Sequence, residues 1–275
     1  MTFELPRLCL HTITTRPWDL ETAVEKYAQA GIGGITVWRQ ALGGLDPEVA
    51  GRMIRAQGMD VVSLCRGGFF ASTDSHKRQM AIEDNLRALD EAAGLGAPLL
   101  VLVCGADPKQ SMDTSRKQIA EGIAAILPHA EAYQIRLGIE PLHPMYADDR
   151  SAINTLKQGT NIAMTLGSPW VGVVVDAYHL WWDPDLEAQI YHCGKEGKLF
   201  AFHISDWKTP TTDILNDRGL MGEGCIALRR IRTWIMNAGF EGFHEVEIFS
   251  QLYWQMDQDL FLSKIVNAYN QYLCG

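Results

Sequence analysis

Three features of this 275-residue chain predict a closed α/β barrel of the (β/α)8 class. Short apolar runs alternate with longer amphipathic segments from end to end, eight of each. The apolar runs show little polar alternation, as expected of strands in a parallel sheet covered on both faces. Eight such units in roughly 250 residues match a closed barrel. An open doubly wound sheet usually carries a glycine-rich phosphate turn after its first strand, and TITTRPWD at 12–19 is not one.

Each element has a local reason. The first strand is LCLHTI (8–13), and the helix over 19–30 starts at Asp19 as N-cap and stops at Gly31. GGITVW (33–38) is the second strand. Asp46-Pro47, a cap followed by proline at the first helical position, then opens the helix 46–57. DVVSLC (60–65) leads to the helix 75–95, and PLLVLVC (98–104) to the helix 112–133. IRLGIE (135–140) precedes the helix 150–166, and VGVVVD (171–176) precedes 184–195. LFAFHI (199–204) precedes 227–238, and FHEVEIF (243–249) precedes 255–272. Gly58, Gly96, Gly167 and Gly239 read as helix C-terminal stops. No linker, low-complexity tract or charge block interrupts the series, so a single TIM-barrel domain over 1–275 is expected.

Composition narrows the function. A net charge of −9 and a pI near 5.4 disfavour nucleic-acid backbones and anionic membranes. Cys9, Cys65, Cys104, Cys193, Cys225 and Cys274 are scattered without a C-x-x-C pair, which fits free thiols in a reducing cytoplasm. The N-terminal segment lacks an uninterrupted apolar stretch of the secretory kind. No run of about 18 apolar residues exists, so no transmembrane helix is expected. The expected partner is a small molecule, with a homo-oligomer left open.

Chemistry in such a barrel gathers at the C-terminal ends of the strands. There the fifth strand ends in Glu140 and the sixth in Asp176. The seventh carries His203, and the eighth carries Glu245 and Glu247. Neighbouring strands lie about 4.8 Å apart, so these side chains can converge on one point in the barrel mouth. A lone aspartate after an apolar strand is commonly a helix cap, and a lone histidine a satisfied core residue. The joint pattern on four successive strands points to metal ligation instead. Three carboxylates and an imidazole repel unless a divalent cation joins them. The predicted ligands are Glu140, Asp176, His203 and Glu247. The oxygen-rich set favours Mn²⁺ or Mg²⁺, with Co²⁺ or Zn²⁺ as alternatives. Glu245, two residues before Glu247 on the same side of the strand, sits deeper and is expected to orient another ligand. His11 is expected either to line the mouth or to be a buried structural histidine. His143 and Tyr146, in the loop after Glu140, are expected to touch substrate. Asp206 either orients a ligand or anchors its loop, Lys208 is expected to be a solvated loop lysine, and Trp181 and Trp182 are expected to pack.

The segments GIEPLHP, VVVDAYHLWW, FHISDW, LNDRGLMGEG and HEVEIF, with CRGGFF at 65–70, resemble the sugar phosphate isomerase/epimerase group of xylose-isomerase-like TIM barrels. Ketose 3-epimerases and inosose dehydratase belong to that group. The resemblance implies that Glu140 and Glu247 act as acid and base as well as ligands. It also implies that His179 and Arg218 bind substrate. The superfamily to which that group belongs also contains endonuclease IV, whose relatives carry extra histidines where this chain has Cys65, Cys104 and Gly219; with the acidic charge, this argues against DNA repair. The expected activity is a metal-dependent isomerisation or epimerisation of a sugar, keto-sugar or polyol. It proceeds by proton transfer next to a carbonyl through an enediolate. A dehydratase of an inosose or dehydroshikimate-like ring uses the same opening move and is the nearest alternative. A non-catalytic carbohydrate-binding barrel is the more distant one.

Overall fold

In a computed structural model, which describes residues 5–273, eight parallel strands close into a barrel with helices between them. Cys274 lies outside the described residues. The strands are Leu8–His11, Gly34–Trp38, Asp60–Gly68, Leu99–Val103, Arg136–Ile139, Val171–Asp176, Leu199–Ile204 and His244–Val246. Each pairs with its neighbours in chain order, and the eighth closes on the first, with Cys9 opposite Glu245.

The covering helices are Leu20–Gln29, Pro47–Ala56, Ser75–Leu95, Met112–Tyr133, Leu156–Leu166, Leu186–Lys195, Leu228–Asn237 and Gln258–Tyr272. Their starts follow the cap chemistry. Asp19 accepts from the Thr22 amide, and Asp46 from those of Glu48 and Val49 ahead of Pro47. All five glycine stops, including Gly31, have positive φ. The fifth helix begins at Leu156 rather than near 150, because Thr155 and Gln158 form a reciprocal capping box there. The last begins at Gln258 behind an Asp257 cap, after a separate short helix Gln251–Trp254. Among the described residues no helix is long and apolar enough to cross a membrane.

Two departures from regular alternation shape the barrel mouth. The third strand runs on to Gly68 with a bulge against the fourth, where Cys65 and Gly67 pair with consecutive residues and Arg66 is the extra one. Gly68 sits at φ +112, and a Cβ there would lie 1.9 Å from the Val103 carbonyl oxygen, so only glycine fits. Asn85 holds this turn, accepting from the Gly68 amide and donating to its carbonyl. The second departure is a hairpin after the seventh strand. Asp206–Trp207 pairs antiparallel with Arg218–Gly219, which folds the long loop back over the mouth. Asp206 anchors it by accepting from the amides of Gly222 and Ile226. Lys208 is paired with Asp217 at 2.5 Å.

Candidate active site

Register brings the acidic residues together. Asp176, His203 and Glu245 are successive partners across the sixth, seventh and eighth strands. Glu140 and Glu247 each follow the last strand residue, and their amides extend the ladder by donating to Leu102 and Ile204. Ligand atoms of Glu140, Asp176, His203 and Glu247 all lie within 4.8 Å of one another, and all four residues are buried.

Each member is held by named contacts. His203 Nδ1 is 3.0 Å from Glu140 Oε1. Asp176 serves in two ways: Oδ1 accepts from the Tyr178 amide as a helix cap, and Oδ2 accepts from Arg218 Nη1 at 3.1 Å. The same Nη1 donates to Glu247 Oε2 at 2.8 Å. The Arg218 guanidinium lies over the rings of Tyr178 and Phe249, at 4.4 and 5.1 Å. Its Nη2 is 3.1 Å from His179 Nε2. Arg218 therefore reaches the cluster from the hairpin and neutralises part of its charge.

Beneath this layer sits a second polar group. Glu245 Oε2 accepts from Thr36 Oγ1 at 2.7 Å, and lies 3.3 Å from His11 Nε2 and 3.6 Å from His203 Nε2. His11 Nδ1 lies 3.1 Å from Glu247 Oε1 and 3.2 Å from Trp38 Nε1. The imidazole of His11 thus stands between Glu245 and Glu247, edge-on to His203.

The electrostatics follow from burial set against these partners. Burial pushes the carboxyls of Glu140 and Asp176 above their ordinary range, against the pull of His203 and Arg218 respectively. Glu247 is buried too, yet Arg218 and His11 hold it below the ordinary range. Burial opposes protonation of His11, but Glu247, Cys65 and Glu245 together outweigh it and raise His11 well above its usual value. Burial and Arg218 together keep His179 well below its usual value, so it is neutral. The Cys65 thiol, beside His11, is pushed up to about 12 by burial and is no thiolate.

The donor set suits a divalent ion. It offers three carboxylates and an imidazole nitrogen, buried, with two of the carboxyls disfavoured as free anions. Above it opens a cavity lined by Glu140, Glu247, His179 and Arg218, with apolar walls from Trp38, Leu142 and Phe249. Tyr146 lines this cavity. His143 does not: its ring packs against Trp182 and Trp207, its Nδ1 caps the short turn at Pro144–Tyr146, and its amide donates to His179 Nδ1. It buttresses a cavity residue from behind, because the Pro144 turn directs the ring outward. Arg66 and Arg150 also line the cavity, and the sequence reading singled out neither. Arg66 follows the third apolar run directly, a position where a charge ends up at the mouth. Arg150 carries no such signal, since it reads as the start of a helix that in fact begins later.

The family model described as xylose isomerase-like TIM barrel matches residues 24–263. An inosose isomerase of Bacillus licheniformis is 25% identical over 196 residues, covering 70% of this chain and 68% of that protein. Among solved structures, a protein from Sinorhizobium meliloti 1021 superposes with a TM-score of 0.94 at 46% identity, covering 97% of this chain and 98% of that one. The IolI protein with a bound zinc atom superposes with a TM-score of 0.85, covering 98% of this chain and 100% of that one. At 20% identity this last likeness concerns the fold alone.

Proposed function

The chain belongs to the xylose isomerase-like TIM barrel family, and from that premise we propose that it is a divalent-metal-dependent isomerase or epimerase of a sugar, keto-sugar or polyol. The observation that carries this reading is the convergence of Glu140, Asp176, His203 and Glu247 on one buried point beneath an open cavity. Similarity to an inosose isomerase and to a zinc-bound barrel supports it. Mn²⁺ or Mg²⁺ suits the oxygen-rich set best, although a zinc-bound relative keeps Zn²⁺ in play.

In this reading the four residues hold one ion. When bound, a divalent ion supplies Lewis acidity that polarises a carbonyl and stabilises an enediolate. The protein's own groups do the rest. Glu140 and Glu247 follow the fifth and eighth strands and both line the cavity. One removes a proton from the carbon next to the carbonyl and the other returns a proton, on the opposite face for epimerisation. Arg218 and His179 form the adjoining wall and orient substrate hydroxyls, Arg218 as a fixed donor and His179 as a neutral imidazole. His143 acts indirectly, by holding His179. Glu245 and His11 fix the orientation of His203 and Glu247 from below. Trp38 and Phe249 limit water around the reacting carbons.

The test is wash-in of solvent deuterium. Metal-loaded protein incubated with a ketose in D₂O should place deuterium next to the carbonyl, and chelator-stripped protein should not. The product should keep the substrate's mass apart from the label, since loss of water marks a dehydratase. Bound ketose with no deuterium incorporation would leave only a carbohydrate-binding barrel.

A further inference from the structure

Among the described residues, two arginines on the cavity wall form no ion pair with an acid inside it. Arg66 is the extra residue of the bulge in the third strand, and it is half-buried. Among the described residues its guanidinium makes no hydrogen bond or ion pair. It lies over the rings of Phe69 at 4.4 Å and Trp38 at 6.0 Å. Stacking on rings uses the faces of a guanidinium and leaves its N–H edge free. Arg150 lines the same cavity. Its guanidinium lies 5.7 Å over Tyr146, and its nearest acid is the exposed Asp149 at 3.7 Å, beyond hydrogen-bond distance.

The cavity acids do not explain this pair. Asp176 and Glu247 already share Arg218, Glu247 also has His11, and Glu140 has His203. A bound divalent ion adds two further positive charges to the same group. Acids are not scarce in this chain, which has 33 Asp and Glu against 24 Lys and Arg, yet among the described residues none forms an ion pair with Arg66, and Glu140 and Glu247 act on it only across the cavity. Burial and then the charge of Arg150 both disfavour the charged form of Arg66, and the weaker opposing pull of Cys65, Glu140 and Glu247 does not cancel them.

We propose that the substrate carries an oxyanion group, a carboxylate or a phosphate, and that Arg66 and Arg150 receive it while the carbonyl end faces Glu140 and Glu247. This deepens the isomerase reading and rests on it for the placement of the carbonyl. A guanidinium fork matches either oxyanion in bidentate fashion, and a half-buried pair gains more from one than an exposed pair does. The substrate class is therefore an acidic sugar or a sugar phosphate rather than a neutral ketose.

The test separates charge recognition from chemistry. D-fructose, D-fructose 6-phosphate and D-fructuronate share a carbonyl end and differ at the remote carbon as hydroxyl, phosphate and carboxylate. Their binding to the Mn²⁺-loaded protein is measured by calorimetry. At least one anion is expected to bind about ten- to a hundredfold more tightly than D-fructose, the range for hydrogen bonds to charged groups. Which anion gains identifies the group. Arg66→Gln and Arg150→Gln should each cut that preference about tenfold while Mn²⁺ affinity stays unchanged. Equal binding of all three compounds, binding of none, or a preference that survives both substitutions would overturn the proposal. Deuterium wash-in read on the same samples reports on the isomerase reading alone. An anion preference without wash-in removes that reading, and wash-in without a preference removes this one.

Discussion

Replacing Glu245 with glutamine tests how the lower polar layer supports the upper one. In the parent, Glu245 Oε2 is the shared neighbour of Thr36, His11 and His203, and it is buried. If His203 ligates through Nδ1, its Nε2 carries the proton and faces the Glu245 carboxylate across 3.6 Å, an electrostatic contact longer than a hydrogen bond. Glu245→Gln keeps the volume and one oxygen for Thr36 but removes the negative charge that favours a proton on His203 Nε2. It also removes one of the two carboxylates facing His11. Loss of such an outer partner weakens metal affinity by about 10–100-fold, or about 1.4–2.8 kcal/mol. Competition with a chromophoric chelator reads the affinity, and a thermal scan confirms that the variant is folded. A folded variant within about twofold of the parent's affinity would refute the idea that Glu245 orients a ligand.

Three more outcomes are expected. Stripping the ion should lower the melting temperature: at free metal one hundred times Kd the linkage is about 2.7 kcal/mol, roughly 5–10 °C for a chain of this size; superimposed scans of loaded and stripped protein would contradict it. Glu140→Gln and Glu247→Gln, assayed at saturating Mn²⁺ with occupancy measured, should each lose about 10²–10⁴ in turnover; a variant with full metal and near-normal turnover would show that its glutamate is a ligand only. His244 is buried against Tyr269, and burial lowers its pKa from 6.5 to about 3. Because the folded value is depressed, its contribution is complete above pH 6.5 and is lost as pH falls toward 3, amounting to about 2 kcal/mol by pH 5. Urea unfolding of the metal-free protein should therefore lose stability more steeply from pH 7 to 5 in the parent than in His244→Gln, and equal slopes would exclude His244 as the cause.

The barrel was legible because burial on both faces leaves strands such as VGVVVD nearly free of polar residues, so the few that occur stand out. Glu140, Asp176, His203 and Glu247 were visible for that reason, each at a strand end. Parallel register then sets them side by side. The role of Arg218 as a clamp on Asp176 and Glu247 depends on the Asp206–Trp207 hairpin, whose two-residue strands are too short to show any period. His11 lies far from Glu245 and Glu247 along the chain, and only closure of the eighth strand on the first joins them. His143 reads as a mouth residue because it follows Glu140 closely, but Pro144 turns the chain and sends its ring among the tryptophans. Arg66 is aimed by a bulge, a one-residue shift that no composition pattern reveals.

The central claim is that four residues from four successive strands hold one divalent ion, and Asp176 tests it most directly. It is fully buried, its Oδ1 is committed to the Tyr178 amide, and Oδ2 is the atom left for Arg218 and the ion. Asp176→Ala removes both oxygens without adding bulk. Metal content per chain, measured by elemental analysis after equilibration with Mn²⁺ and gel filtration, is predicted to be close to one ion in the parent and close to zero in a folded Asp176→Ala variant. Equal occupancy in the two proteins, or a parent that retains no ion, would contradict the account.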